Sequence, residues 1–173
     1  MVIFKDITNI NNFSEYLPLL NSCLLIELLI FFLVYSKLIN SFHLKKWYQT
    51  YNLSAIIIDV FILLIFLVKT VFFYKYFFSS FNILKFIGLA IFFQLFNESW
   101  FYILIRNIPY GYNNLLDYFK NYTKDFGLLA HIGYSIMMMF VAALSSHISL
   151  YSYNINIIIF IITTYMLSIL INI

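Results

Sequence analysis

The chain is predicted to be an all-α integral membrane bundle of about five transmembrane helices, and three observations predict it. Of its 173 residues 64% are hydrophobic and only 10% are charged, against roughly 25% charged in an ordinary soluble domain. Five stretches approach the roughly 20 mainly apolar residues that a helix needs to cross a bilayer. Gly and Pro number 4 and 2, too few for flexible joints, so residues 1–173 read as a single integral membrane domain. A soluble domain is excluded by this composition. The formal charge of +3 is small and scattered, whereas nucleic-acid binding calls for a clustered basic stripe.

Before the first apolar run, Ile3, Ile7, Ile10 and Phe13 recur at nearly helical spacing, which predicts a short amphipathic segment on the membrane surface. Asp6 and Glu15 replace the basic start of a cleavable leader, so the segment is expected to be retained. The spans are then expected at about 17–38, 53–73, 82–105, 127–146 and 154–173. Pro18 suits the first turn of span one, where its missing N–H is harmless, and Ser79 or Ser80 is the expected cap of span three. Span two can extend to Phe78, with Lys69 and Lys75 snorkelling to the headgroups. Between spans three and four, the turn-forming IPYGYNN leads into LLDYFKNYTKDF. Leu115, Leu116, Phe119 and Tyr122 share one helical face there, with Asp117, Lys120, Lys124 and Asp125 around the rest, which predicts an interfacial helix.

Acidic residues inside apolar runs carry the functional signal, because a charge at the bilayer centre costs roughly 2.5–3.5 kcal/mol on insertion scales and so faces protein or water. Glu27, Asp59 and Glu98 are such residues. Asp59, Glu98, His131 and Ser135 fall at similar depth in one leaflet, counted at about 1.5 Å per residue. Gln94, Glu98, Tyr102 and Arg106 recur every four residues and form a stripe, with Asn97 beside it. His131 and Ser135 share a face, and Gly127, Ala130 and Gly133 invite a close neighbour. The expectation is one polar layer in which spans two, three and four converge. Gln94, Asn97 and Ser135 suit interhelical hydrogen bonding; Asp59 and Glu98 suit a functional role; His131 beside carboxylates suits a proton acceptor or a metal ligand. Glu27 is placed deeper than the layer, bridging helices or subunits.

Cys23 is the lone cysteine, which excludes an internal disulfide and a CxxC redox pair. No TVGYG filter, HExxH or GxSxG motif occurs, so no cofactor and no catalytic residue is expected. Expected partners are membrane lipids, a second copy of the chain, or other membrane proteins. Lys37, Lys45, Lys46, Arg106, Lys120 and Lys124 flank one side, against Lys5, Lys69, Lys75 and Lys85 on the other. The positive-inside rule then places the N-terminus outside and the C-terminus in the cytoplasm.

The stretches YNLSAIIIDV, FYILIRNIPYGYNNLLDYFKNYTKDFG and IGYSIMMM, within residues 51–139, resemble a family of small multi-span membrane proteins of giant DNA viruses. The pattern departs from this chain at Asn97 and Glu98, where the family carries His-Asp, and at Tyr134, where it carries Asp. The resemblance implies a viral membrane component, in a virion's inner membrane or a host-derived one, and brings no reaction with it. A structural or interaction component is therefore the leading expectation. A proton or cation channel or transporter subunit using Asp59, Glu98 and His131 is the alternative, with an intramembrane enzyme third.

Overall fold

A computed structural model describes residues 3–9 and 13–170. Among them are seven α-helices and a 3-10 turn, and no strand: α1 Leu17–Tyr35, α2 Phe42–Tyr51, α3 Leu53–Phe77, α4 Ile83–Arg106, α5 Asn114–Phe126, α6 Leu128–Ile148 and α7 Tyr153–Leu170. Four of them, α1 with its preceding turn, α3, α4 and α6, are long and apolar enough to cross a membrane. At 25 residues, α3 extends about 37 Å, beyond the roughly 30 Å hydrocarbon core. The expected fifth span is the shorter apolar helix α7, so four spans rather than five meet the length requirement. Residues 171–173, counted in that span, lie outside the described ones.

Helix ends follow local chemistry. Asn82 Oδ1 accepts from the Leu84 and Lys85 amides at 2.9 and 3.3 Å and starts α4, so the cap is Asn82 rather than Ser79 or Ser80. Asn113 caps α5 in the same way. α1 stops at Tyr35, short of Leu38, because Lys37 turns the chain at φ 63°. The N-terminal segment is not helical over residues 3–9. Instead the Lys5 amide donates to Ser146 O, and Ser146 Oγ donates to Lys5 O at 2.6 Å, so the segment is tied to the end of α6. Ile7 is buried there, Ile10 lies outside the described residues, and Phe13 begins the 3-10 turn.

α1, α3, α4 and α6 form a closed ring in which α1 packs on α3 and α6, and α4 packs on α3 and α6; α7 lies on the outside of α1. The ring is filled by Leu63, Leu67, Phe86, Ala90, Met138 and Val141. The outer faces carry exposed Phe61, Ile65 and Phe72 on α3, Phe92 and Phe96 on α4, and Ile158, Ile161 and Ile162 on α7. An apolar exterior of this extent is what contact with acyl tails requires.

The ring is built from two like units. In each, a span (α1 or α4) leads to a short helix at one end (α2 or α5), and a tight joint returns the chain into a second span (α3 or α6). The joints adopt one backbone conformation, φ 47° and ψ −124° at Asn52 and φ 47° and ψ −120° at Gly127. That left-handed φ suits the glycine and is tolerated by asparagine. The acids repeat too: Glu27 lies eight residues before the last residue of α1, and Glu98 eight before the last of α4. α2 is the element the sequence reading missed. Ten residues with Lys45, Lys46, Gln49 and Thr50 among them make no obvious apolar run, yet Trp47 and Tyr48 on its inner face are 3% and 2% exposed.

Candidate functional site

The expected polar layer resolves into two clusters beneath the caps formed by α2 and α5. In the first, Glu27 of α1 and Asp59 of α3 face each other within hydrogen-bonding reach. Trp47 Nε1 donates to Asp59 Oδ2 at 2.8 Å, and the Tyr48 hydroxyl donates to Glu27 Oε1 at 2.7 Å. Glu27 is fully buried and belongs to this layer, not to a deeper level. No basic side chain is ion-paired with either acid among the described residues. Glu27 Oε2 has no hydrogen-bond partner among the described residues.

The second cluster joins α4 to α6. His131 Nδ1 lies 2.5 Å from Glu98 Oε2, and Ser135 Oγ donates to Gln94 Oε1 at 2.9 Å. Such interhelical bonds are worth about 0.6 kcal/mol each within a bilayer, so they set register more than they supply stability. The close approach expected at Gly133 is absent, since nothing lies within 4 Å of where its Cβ would be. Asp59 is not joined to Glu98 or His131 by any hydrogen bond or ion pair among the described residues; it pairs with α1 and α2 instead. Tyr134, seven residues after Gly127 as Asp59 is seven after Asn52, lies between the clusters, and its hydroxyl is hydrogen-bonded to Tyr122.

Several residues fall elsewhere than expected. Lys69 does not snorkel: its Nζ donates to Asn97 Oδ1 at 2.7 Å, and Asn97 Nδ2 donates to Phe93 O at 2.6 Å. An ammonium held mid-helix by an amide joins α3 to α4. Arg106 is exposed at the end of α4, and Tyr102 is half exposed, so the stripe does not close on Glu98 through Arg106. Among the interfacial residues, Lys124 is exposed but Lys120 is 7% exposed, a correction to its expected place on the polar face. Lys120 Nζ donates to Ile108 O, lies 3.7 Å from Asp117 Oδ1 and covers the Tyr110 ring. Asp117 Oδ2 also accepts from the Gly111 amide, so the pair fastens the loop before α5. Asp125 pairs with His43 of α2 at 3.1 Å.

The two caps meet through aromatic rings. Trp47 stacks on Tyr118 with centroids 5.0 Å apart, and the Tyr118 hydroxyl donates to His43 O at 2.8 Å. Burial pushes the Tyr48 and Tyr118 hydroxyls well above the usual phenol range and the Tyr122 hydroxyl up to about 12. All three therefore remain neutral donors at physiological pH. Trp47 and Tyr48 are the functional-layer residues that the sequence reading missed. The one signal for them is the Trp-Tyr pair beside two lysines, a common membrane-interface composition.

Under α5 the second cluster opens into a cleft of about 360 Å³ between α3, α4 and α6. Its walls are mainly aromatic, including Phe66, Phe101, Phe119 and Tyr122, and Glu98 and His131 stand at its polar end. Among the described residues no group of three or more His, Cys, Asp and Glu is placed to hold a metal ion. Comparison of the chain with protein-family models, with curated proteins and with solved structures gives no match.

Proposed function

We propose that the chain is a multi-span membrane component whose buried polar groups hold its helices in register, with α7 as a fifth crossing. The observation that carries this reading is how the polar groups are distributed. Near the caps most of them are paired as above, and Glu27 Oε2 and Gln94 Nε2 are left without a partner among the described residues. Toward the opposite end, Ser22 and Ser145 join α1 to α6 at 2.5 Å, and Asn21 Nδ2 donates to Asn156 O at 2.8 Å, joining α1 to α7. Between the two tiers Leu67, Ala90, Met138, Val141 and Ala142 are almost fully buried and close the ring with apolar atoms. The buried Thr70 hydroxyl at that level is spent on Phe66 O at 2.8 Å, so a proton or cation would find little polar lining there, a large desolvation cost.

The basic side chains around the α2 and α5 caps favour that end as cytoplasmic, with the N-terminus outside. Lys69 no longer counts for the other side, because Asn97 holds it inside the bundle. A virion inner membrane or a host-derived membrane is the setting that the family resemblance suggests. A transporter is the second reading, favoured by the two like units, an arrangement that secondary transporters share.

Reconstituted protein separates the two. Liposomes bearing the wild-type chain are expected to hold a proton gradient and a Na⁺ or K⁺ gradient as long as empty liposomes do. Dissipation that depends on the protein and is lost in Glu98→Gln, with folding intact, would favour transport over the register-holding role.

A further inference from the structure

Two units of like construction allow one to be read against the other. In the first unit the space beneath the cap is filled from within: the Trp47 indole, five residues before the Asn52 joint, is 3% exposed and gives its N–H to Asp59. In the second unit the residue five before the Gly127 joint is Tyr122. Its ring is smaller, its hydroxyl is engaged with Tyr134, and the space beneath the cap is the 360 Å³ cleft. The cleft keeps an acid, Glu98, at the position of Glu27, while Tyr134 stands at the position of Asp59, the acid that takes the indole N–H in the first unit, and the cleft has no indole in it.

We propose that this cleft binds a neutral, planar ring compound bearing one N–H or O–H donor, an indole- or phenol-like amphiphile that enters from the leaflet and fills beneath the α5 cap the space that Trp47 fills beneath α2. Volume agrees, since small-molecule sites run from roughly 300 to 1,000 Å³ with mainly apolar walls and few polar groups. The polar end agrees as well: Glu98 stands there with His131 at 2.5 Å, and a carboxyl oxygen has lone pairs enough to accept a further hydrogen bond from a neutral donor. The walls favour a flat body: Phe101 and Phe119 meet edge to face at 5.5 Å, and Phe66, Tyr122 and Tyr134 complete the slot. Offset or edge contacts with a ring are what such walls supply.

The test uses 5-fluoroindole and its N-methyl derivative as probes, followed by fluorine NMR on full-length protein in lipid nanodiscs. Saturable binding of 5-fluoroindole is expected, weakened roughly tenfold by N-methylation, which removes the donor and leaves the acceptor unpaired. Ala130→Phe is expected to abolish binding by filling the cleft from α6. Thr123→Trp, which fills it from α5, serves if the first variant fails to fold, as judged by its thermal unfolding. Equal affinity for the N-methyl probe would overturn the proposal, as would saturable binding that survives the filling variants or uptake that never saturates beyond lipid partitioning. The register-holding role stands or falls separately, on the gradient measurement.

Discussion

Trp47→Ala is expected to destabilise the protein by about 3–5 kcal/mol, the largest single effect in the chain. Truncating a buried aromatic side chain to alanine removes its contact surface and leaves a void that the neighbours fill only in part. Here the ring also lies between α2 and α5, on Tyr118 at 5.0 Å and Phe119 at 5.3 Å, so one truncation loosens both caps. It further deprives Asp59 of its N–H donor. Trp47→Phe keeps most of the ring and loses only the donor, so its expected cost is about 1–3 kcal/mol. Unfolding by a denaturing detergent, followed by circular dichroism, measures both. Equal stability of Trp47→Ala and wild type would mean that the caps do not hold the bundle together.

Glu27 is expected to respond in opposite ways to two substitutions. Glu27→Ala strands the Tyr48 hydroxyl and the Asp59 carboxyl together in a buried site, at about 1–3 kcal/mol for each group. Glu27→Gln keeps an oxygen for Tyr48 and places an amide donor where Oε2 now has none. It therefore supplies a permanent N–H beside Asp59, and its stability is expected to equal or exceed that of wild type. The same detergent titration compares them. A Gln variant as damaged as the Ala variant would show that the two acids do not meet.

What could be read from the sequence and what could not divide along physical lines. Span positions were legible because solvation in lipid imposes a single requirement, a long apolar run, which α3 and α4 meet almost residue for residue. That Glu98 and His131 can meet was legible because helical rise is fixed. Which residue Asp59 would meet was not: depth gives height on a helix, while partners depend on rotation about its axis, and Asp59 turned toward Glu27 rather than Glu98. Lys69 was assigned to the headgroups because long basic side chains generally reach them; an amide on the neighbouring helix, Asn97, offered a nearer partner. α2 was overlooked because a ten-residue helix held by tertiary contacts needs little intrinsic signal. The two-unit plan was invisible because what repeats is element order, joint conformation and the position of an acid, not a string of residues. Gly127 and Asn52 share a positive φ that glycine adopts freely and asparagine more readily than most residues.

The central claim is that the polar layer lies inside the bundle, roofed by α2 and away from lipid. The chain has two tryptophans, and they occupy opposite environments: Trp47 is 3% exposed against Asp59, and Trp100 is 53% exposed on α4. Quenching of tryptophan fluorescence by bromine-labelled lipids therefore reads the claim directly in two single-tryptophan variants. Trp100→Phe, which leaves Trp47, is expected to keep its emission in brominated bilayers, while Trp47→Phe, which leaves Trp100, is expected to lose most of it. Trp47 quenched as strongly as Trp100 would place the indole, and the acids beneath it, in contact with acyl chains and would contradict the account.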